Sequence, residues 1–250
     1  MAAQPWLSDG EVALRAMFSL EFPVLGGRFG DDAFDAVPTG EAWGTADSSR
    51  ATVAEVARHA RRLAGLAPAV GRVLDVATSD LAALRLGGLL HDIGKLAVPF
   101  HVLFKRGRLN AEEFEAVRSH AVIGDMLCAR VPGLAHVRPI VRHHHERLDG
   151  SGYPDGLAGD DIPLLAQIVG IADVYDALVH PRPYKPAYNR DLALGVLRRE
   201  TALGWRRADL LDALVVATEG AERRLPAKTS GDRRWLGKGA TGNPMRGELG

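Results

Sequence analysis

At 250 residues, with 46% hydrophobic and 25% charged side chains, the chain has the make-up of an ordinary globular protein with one sizeable core. A formal net charge of zero removes any whole-molecule attraction to nucleic acid or an anionic membrane, and the single cysteine, Cys128, excludes disulfide frameworks and cysteine-based zinc clusters within one chain. No apolar run is long enough to span a membrane and no signal-peptide pattern opens the chain, so the expected location is cytoplasmic.

In chain order, Ser8 and Glu11 have the spacing of a capping box and predict a short helix carrying Val12, Leu14, Met17 and Phe18. Gly-, Asp- and Pro-rich text follows Phe22-Pro23, so residues 1–50 read as an N-terminal appendage or docking segment. From about Ala51 the helical period is clear, with Val53, Val56, Ala57, Ala60, Leu63, Ala64, Ala67 and Val70 in one stripe. A second helix is predicted from Asp80 to Leu90. Asn110 and Glu113 cap a third, with Phe114, Val117, Ala121 and Leu127 facing inward. A fourth runs from about Gly133 to Arg147. Residues 148–163 carry turn signals and read as a loop. Pro163 opens a strongly apolar helix through Leu178, which the run Pro181-Arg182-Pro183-Tyr184-Lys185-Pro186 stops. Two more helices fit 189–203 and 206–220. No β alternation competes, so the class is all-α: a compact helical domain over 51–220. Residues 221–250, with seven Lys or Arg against three acids, read as a flexible basic tail. No aromatic platform accompanies that charge, so nucleic acid is not an expected partner.

The chemistry gathers in a few stretches. Glu55 and His59 lie four apart and share a helix face. His91-Asp92 follows an apolar helical run, where an imidazole and a carboxylate are costly unless something binds them. Neighbours on a helix point about 100° apart, so both can serve one centre only over a helix end, where the carboxylate could bridge two ions. His120 falls on the third helix. His143-His144-His145-Glu146 is a rare run of imidazoles, and histidine is the commonest metal ligand. Asp173 and Asp176 sit inside the apolar helix. One of them is expected as a ligand, the other as a cap or an arginine partner. Histidine and carboxylate without thiolate suit non-haem iron or manganese, and zinc less specifically. More than four ligands imply more than one ion, and neighbouring ions of this kind activate water and clamp a phosphoryl group.

Four motifs then carry a resemblance: His91-Asp92-Ile93-Gly94-Lys95; Ser119-His120 with Gly124; His144-His145-Glu146-Arg147, Asp149-Gly150 and Gly152-Tyr153-Pro154; and Ala172-Asp173-Val174-Tyr175-Asp176-Ala177-Leu178. In this order and at these gaps, over roughly residues 51–216, the chain resembles the HD-GYP branch of the HD metal-dependent phosphohydrolases. The resemblance implies an HD-type helical bundle with two or three divalent ions, iron or manganese, that hydrolyses cyclic di-GMP to a linear dinucleotide and often on to GMP, with pGpG, GMP or both as end product. It implies Glu55, His59, His91, Asp92, His120, His144, His145 and Asp173 as metal ligands. Lys95 would lie against the metals and the substrate phosphate. Tyr153 would line the pocket, and Arg182 and Lys185 would hold phosphate. Gln167, Pro181 and the stretch Leu203-Gly204-Trp205-Arg206-Arg207-Ala208-Asp209 depart from the family pattern around the site loops. A cyclic-dinucleotide-binding adaptor without catalysis, and a phosphohydrolase of another nucleotide, are the alternative functions. A regulatory protein and a second copy of the chain complete the expected partners.

Overall fold

The structure, a computed structural model, describes residues 46–103, 105, 107–181 and 187–222. The expected N-terminal capping box, the basic tail, and Arg182 and Lys185 lie outside the described residues. The described chain is all-helical, and its one β feature is an isolated bridge between Asp149 and Ala158. The helices are α1 (Ala46–Val73), α2 (Thr78–Leu90), α3 (Phe100–Leu103), α4 (Ala111–Arg118), α5 (His120–Ala129), α6 (Arg138–His143), α7 (Leu164–Val179), α8 (Arg190–Ala202) and α9 (Ala208–Glu222). A 3-10 turn, Ile93–Ala97, follows α2, and another, Gly159–Asp161, precedes α7. Among the described residues no helix is long and apolar enough to cross a membrane.

The α1 stripe buries Ala60, Leu63, Ala64, Ala67 and Val70, whereas Val56, nearer its start, is exposed. Leu63, Ala67 and Val70 pack with Ala83 and Leu84 of α2, with α7, and with Leu194, Leu197, Leu210 and Leu214 of α8 and α9. Apolar on nearly every side, α7 is buried through Ile168, Val169, Ile171 and Ala172, as the middle helix of a bundle must be. A second, smaller core joins Leu90 at the end of α2 to Cys128, Leu134, Val137 and Val141.

Two expectations change. The third helix breaks at Ser119 into α4 and α5. The Asn110–Glu113 capping box forms as its spacing requires: each side chain accepts the other's backbone N–H at 2.8 Å. The break, however, ends the continuous inward face, and Phe114 is half exposed. The fourth helix shrinks to α6, because the chain after His143 turns to place His144 and His145.

Candidate metal centre

His59 projects from the middle of α1. Helix α2 ends at Leu90, so His91 is its C-terminal cap and Asp92 the first residue beyond. The helix end is where adjacent residues can turn toward one centre. His120 opens α5, His144 and His145 follow α6, and Asp173 comes from the middle of α7.

These seven side chains converge. His59, His91 and Asp173 form one group; Asp92, His120, His144 and His145 form a second; ligand atoms within each group lie within 4.8 Å of one another. Asp92 faces both. Its Oδ2 lies 3.2 Å from His91 Nε2, and its Oδ1 lies 3.4 Å from His120 Nε2.

Two glycines permit this approach. A Cβ on Gly94 would stand 2.0 Å from the His120 carbonyl oxygen and 2.6 Å from Gly124 N. A Cβ on Gly170 would stand 2.4 Å from the His144 carbonyl oxygen. Only a residue without a side chain lets those backbones come so close.

The imidazoles are wired alike. His91, His120 and His144 each place Nδ1 on the carbonyl three residues earlier, those of Gly88, Val117 and Val141, at 3.0, 2.6 and 2.9 Å. A carbonyl only accepts, so Nδ1 carries the proton and Nε2 presents a lone pair. His59 turns its Nδ1 to Asp176 Oδ2 at 2.7 Å. The lone-pair nitrogens then face each other: His59 and His91 Nε2 are 3.2 Å apart, and His120 and His144 Nε2 are 3.5 Å apart. Asp92 Oδ1 is buried without a hydrogen-bond partner. Imidazole nitrogens converging on one another, beside a buried carboxylate oxygen with no donor, fit a cation.

The electrostatics agree. Burial holds the His144 imidazole well below its ordinary value, with the neighbouring histidines adding to it, and takes His145 down to about 3. Burial likewise lowers His120. Burial pulls His59 down as well, but the Asp173 and Asp176 carboxylates override it and raise the group to about 9. Burial would raise Asp92, yet His91 and Lys95 hold it well below the usual carboxylate range. Asp173 is held low by His59 and His91 against the same burial. Neutral His120, His144 and His145 and ionised Asp92 and Asp173 are in the states that bind divalent ions, whereas His59 would have to release a proton to a bound cation.

The other expected residues divide. Lys95 reaches Asp92 Oδ2 at 2.6 Å. Tyr153 stacks on His145 with ring centroids 4.6 Å apart, and the Arg118 guanidinium lies 4.9 Å from the Tyr153 ring. The loop that bears Tyr153 is tied down by Glu146, whose carboxylate accepts the N–H groups of Asp155, Gly156 and Leu157. It is also tied to the α8–α9 turn, where Leu148 N donates to the Trp205 carbonyl and Arg147 lies over the indole. Glu55 joins neither group. Its carboxylate engages Arg58 at 2.9 Å and Arg62 at 3.3 Å, because two arginines on its own helix compete for it at an exposed position. Arg62, Arg118 and the anchoring role of Glu146 escaped the sequence reading. The three-residue spacing of His59 and Arg62 was visible, but their shared partner Asp176 is more than a hundred residues away.

The family model described as HD domain matches residues 50–205, more than half of the chain. This chain belongs to the HD-domain family. It is 41% identical over 138 residues to the cyclic di-GMP phosphodiesterase response regulator RpfG of Xanthomonas campestris, covering 54% of this chain and 36% of that protein. It is 36% identical over 158 residues to the 3'3'-cGAMP-specific phosphodiesterase 1 of Vibrio cholerae, covering 63% and 37%. The chain thus spans little more than a third of the length of these curated relatives. Bd1817, an HDG"Y"P protein from Bdellovibrio bacteriovorus, has the same fold, with a TM-score of 0.53, 22% identity, and 70% of this chain and 58% of that one covered.

Without metal, this HD domain should lose stability on mild acidification. Unfolded histidines titrate near 6.5, whereas folded His120, His144 and His145 do so lower. Below pH 6.5 the unfolded chain takes protons that the folded one refuses. Stability therefore falls as pH falls, by on the order of 1 kcal/mol per pH unit for each histidine. His59 runs the other way: raised to about 9, it contributes fully below 6.5 and loses that contribution as pH rises through 9. The lowered carboxyls of Asp92 and Asp173 lose theirs only below 3.8. Chelator-treated protein should unfold at lower urea near pH 5 than near pH 7. An equal midpoint would mean that the folded imidazoles accept the protons.

Proposed function

We propose that this HD domain is a metal-dependent phosphodiesterase that hydrolyses cyclic di-GMP to the linear dinucleotide pGpG, to GMP, or to both. The observation that carries the proposal is Asp92, one carboxylate facing two groups of ligand atoms. His59, His91 and Asp173 would hold one divalent ion and His120, His144 and His145 the other, with Asp92 shared. The nitrogen and oxygen donor set favours iron or manganese. Bound there, such ions supply an activated water and a clamp for the phosphoryl oxygens.

The chain's own residues do the rest. His120, His144 and His145, held neutral by burial, serve as donors, not as general bases. Lys95, held against Asp92, sets a positive charge beside the shared carboxylate and toward an incoming phosphate. Tyr153, stacked on His145, closes one side of that space. Arg182 and Lys185 are the further phosphate contacts in this proposal. A dianionic cyclic dinucleotide needs such local charge on a molecule whose net charge is zero. Function in a cytoplasmic signalling system, with a regulatory protein and a second copy as partners, belongs to the same proposal.

A relative named for 3'3'-cGAMP makes that dinucleotide the second substrate to try. Protein loaded with iron or manganese under reducing conditions should linearise cyclic di-GMP, with 3'3'-cGAMP as the parallel arm and products separated by chromatography. Faster turnover of 3'3'-cGAMP would reassign the substrate. No turnover of either would remove the proposal, and tight binding without product would favour the adaptor alternative.

A further inference from the structure

We propose that Arg62 is a positioning residue for the ion site of His59, acting through Asp176. The inference rests on the metal-binding reading above and concerns residues outside the ligand set.

Arg62 and His59 lie three apart on α1 and so share a face. Asp176 is on α7, buried, 3% exposed. Arg62 grips its carboxylate with two parallel bonds, Nε to Oδ1 at 2.7 Å and Nη2 to Oδ2 at 2.9 Å. The same Oδ2 accepts from His59 Nδ1 at 2.7 Å. His180 Nδ1 lies 3.1 Å from Oδ1. The arginine fork fixes the plane of the carboxylate, and the carboxylate fixes both the tautomer and the rotation of the imidazole. His59 Nε2 is thereby aimed between His91 Nε2 and Asp173 Oδ1, each 3.2 Å away.

Arg62 also explains the place of Glu55. Its Nη2 reaches Glu55 Oε1 at 3.3 Å, so one guanidinium orients His59 and draws Glu55 off the ligand face. His91, His120 and His144 need no such help, since each is aimed by a carbonyl of its own local backbone. His59 lies mid-helix, where the carbonyls are committed to the helix ladder, and must borrow its acceptor from another helix. The device is therefore specific to one of the two groups.

The test is equilibrium binding of Mn2+ to the full chain and to Arg62→Met, Arg62→Lys and Asp176→Asn, with Arg58→Gln as control. One of two ions should bind about 10- to 100-fold more weakly in Arg62→Met, the range for loss of an outer partner, while the other is unchanged. Arg62→Lys keeps the charge but not the fork and should fall between. Asp176→Asn should match Arg62→Met, and the double variant should be no worse than either, since both cut one path. Arg58, which engages only Glu55 among these groups, should leave both affinities as they were. If Arg62→Met does not fold, the lysine variant carries the test. Unaltered Mn2+ affinity in folded Arg62 variants overturns the inference, and so does equal weakening of both ions, the mark of a merely structural role. A parent chain that binds no divalent ion overturns the functional proposal and this one together.

Discussion

Asp92→Ala should empty the centre: bound Mn2+ should fall from two ions to one or none, and hydrolysis of a cyclic dinucleotide should drop by at least about a thousandfold. That factor corresponds to the several kcal/mol that paired ions contribute to a charged transition state. The two oxygens of Asp92 face the two ligand groups, Oδ2 toward His91 and Oδ1 toward His120. Its Oδ1 has no other use, being buried without a hydrogen-bond partner. Removing it also leaves Lys95 without its 2.6 Å partner. Asp92→Asn separates charge from shape. The amide keeps the size but brings an N–H where a lone pair is needed, so it should lose metal nearly as completely. Metal analysis together with turnover checks both variants. Two ions retained in Asp92→Asn would mean that the carboxylate is not shared.

Gly94→Ala should be the most damaging single methyl in the described chain. Its Cβ would sit 2.0 Å from the His120 carbonyl oxygen, and backbone cannot swing aside as a flexible side-chain tip can. The first turn of α5 would have to retreat by more than an ångström from the 3-10 turn after α2, carrying His120 away from Asp92. We expect about 3 kcal/mol of lost stability, at the upper end for overpacking, and weakened binding at the His120 group. Gly65→Ala is the contrast. Its Cβ meets nothing within 4 Å on an exposed helix face, so it should stabilise by about 0.5–1 kcal/mol. Urea unfolding of the two variants beside the parent measures both effects. A Gly94→Ala protein as stable as the parent would show that α5 can shift freely, and the close approach would lose its meaning.

Helix existence was legible almost throughout, because burial of one face imposes a period that can be read without knowing the partner. The α1 stripe, the Asn110–Glu113 cap and the Pro163 start of α7 are each local facts, written within a few residues of where they act. The break at Ser119 and the shortening of α6 were not legible. Both serve distant groups, turning His120 and His144 toward a centre that neither segment contains.

The donor chemistry was likewise carried by residue types alone: imidazole and carboxylate, no thiolate, more of them than one ion needs. Packing then divided the eight expected ligands. It brought seven into two groups, gave Asp92 to both, paired Asp176 with Arg62 instead of making it a ligand, and left Glu55 with two arginines of its own helix. The spacing of Glu55 and His59 says only that they share a face. Which part of that face meets another helix depends on where α7 crosses α1 and on who else competes for the carboxylate. Such contacts join residues more than a hundred positions apart, and no periodicity in one segment records them.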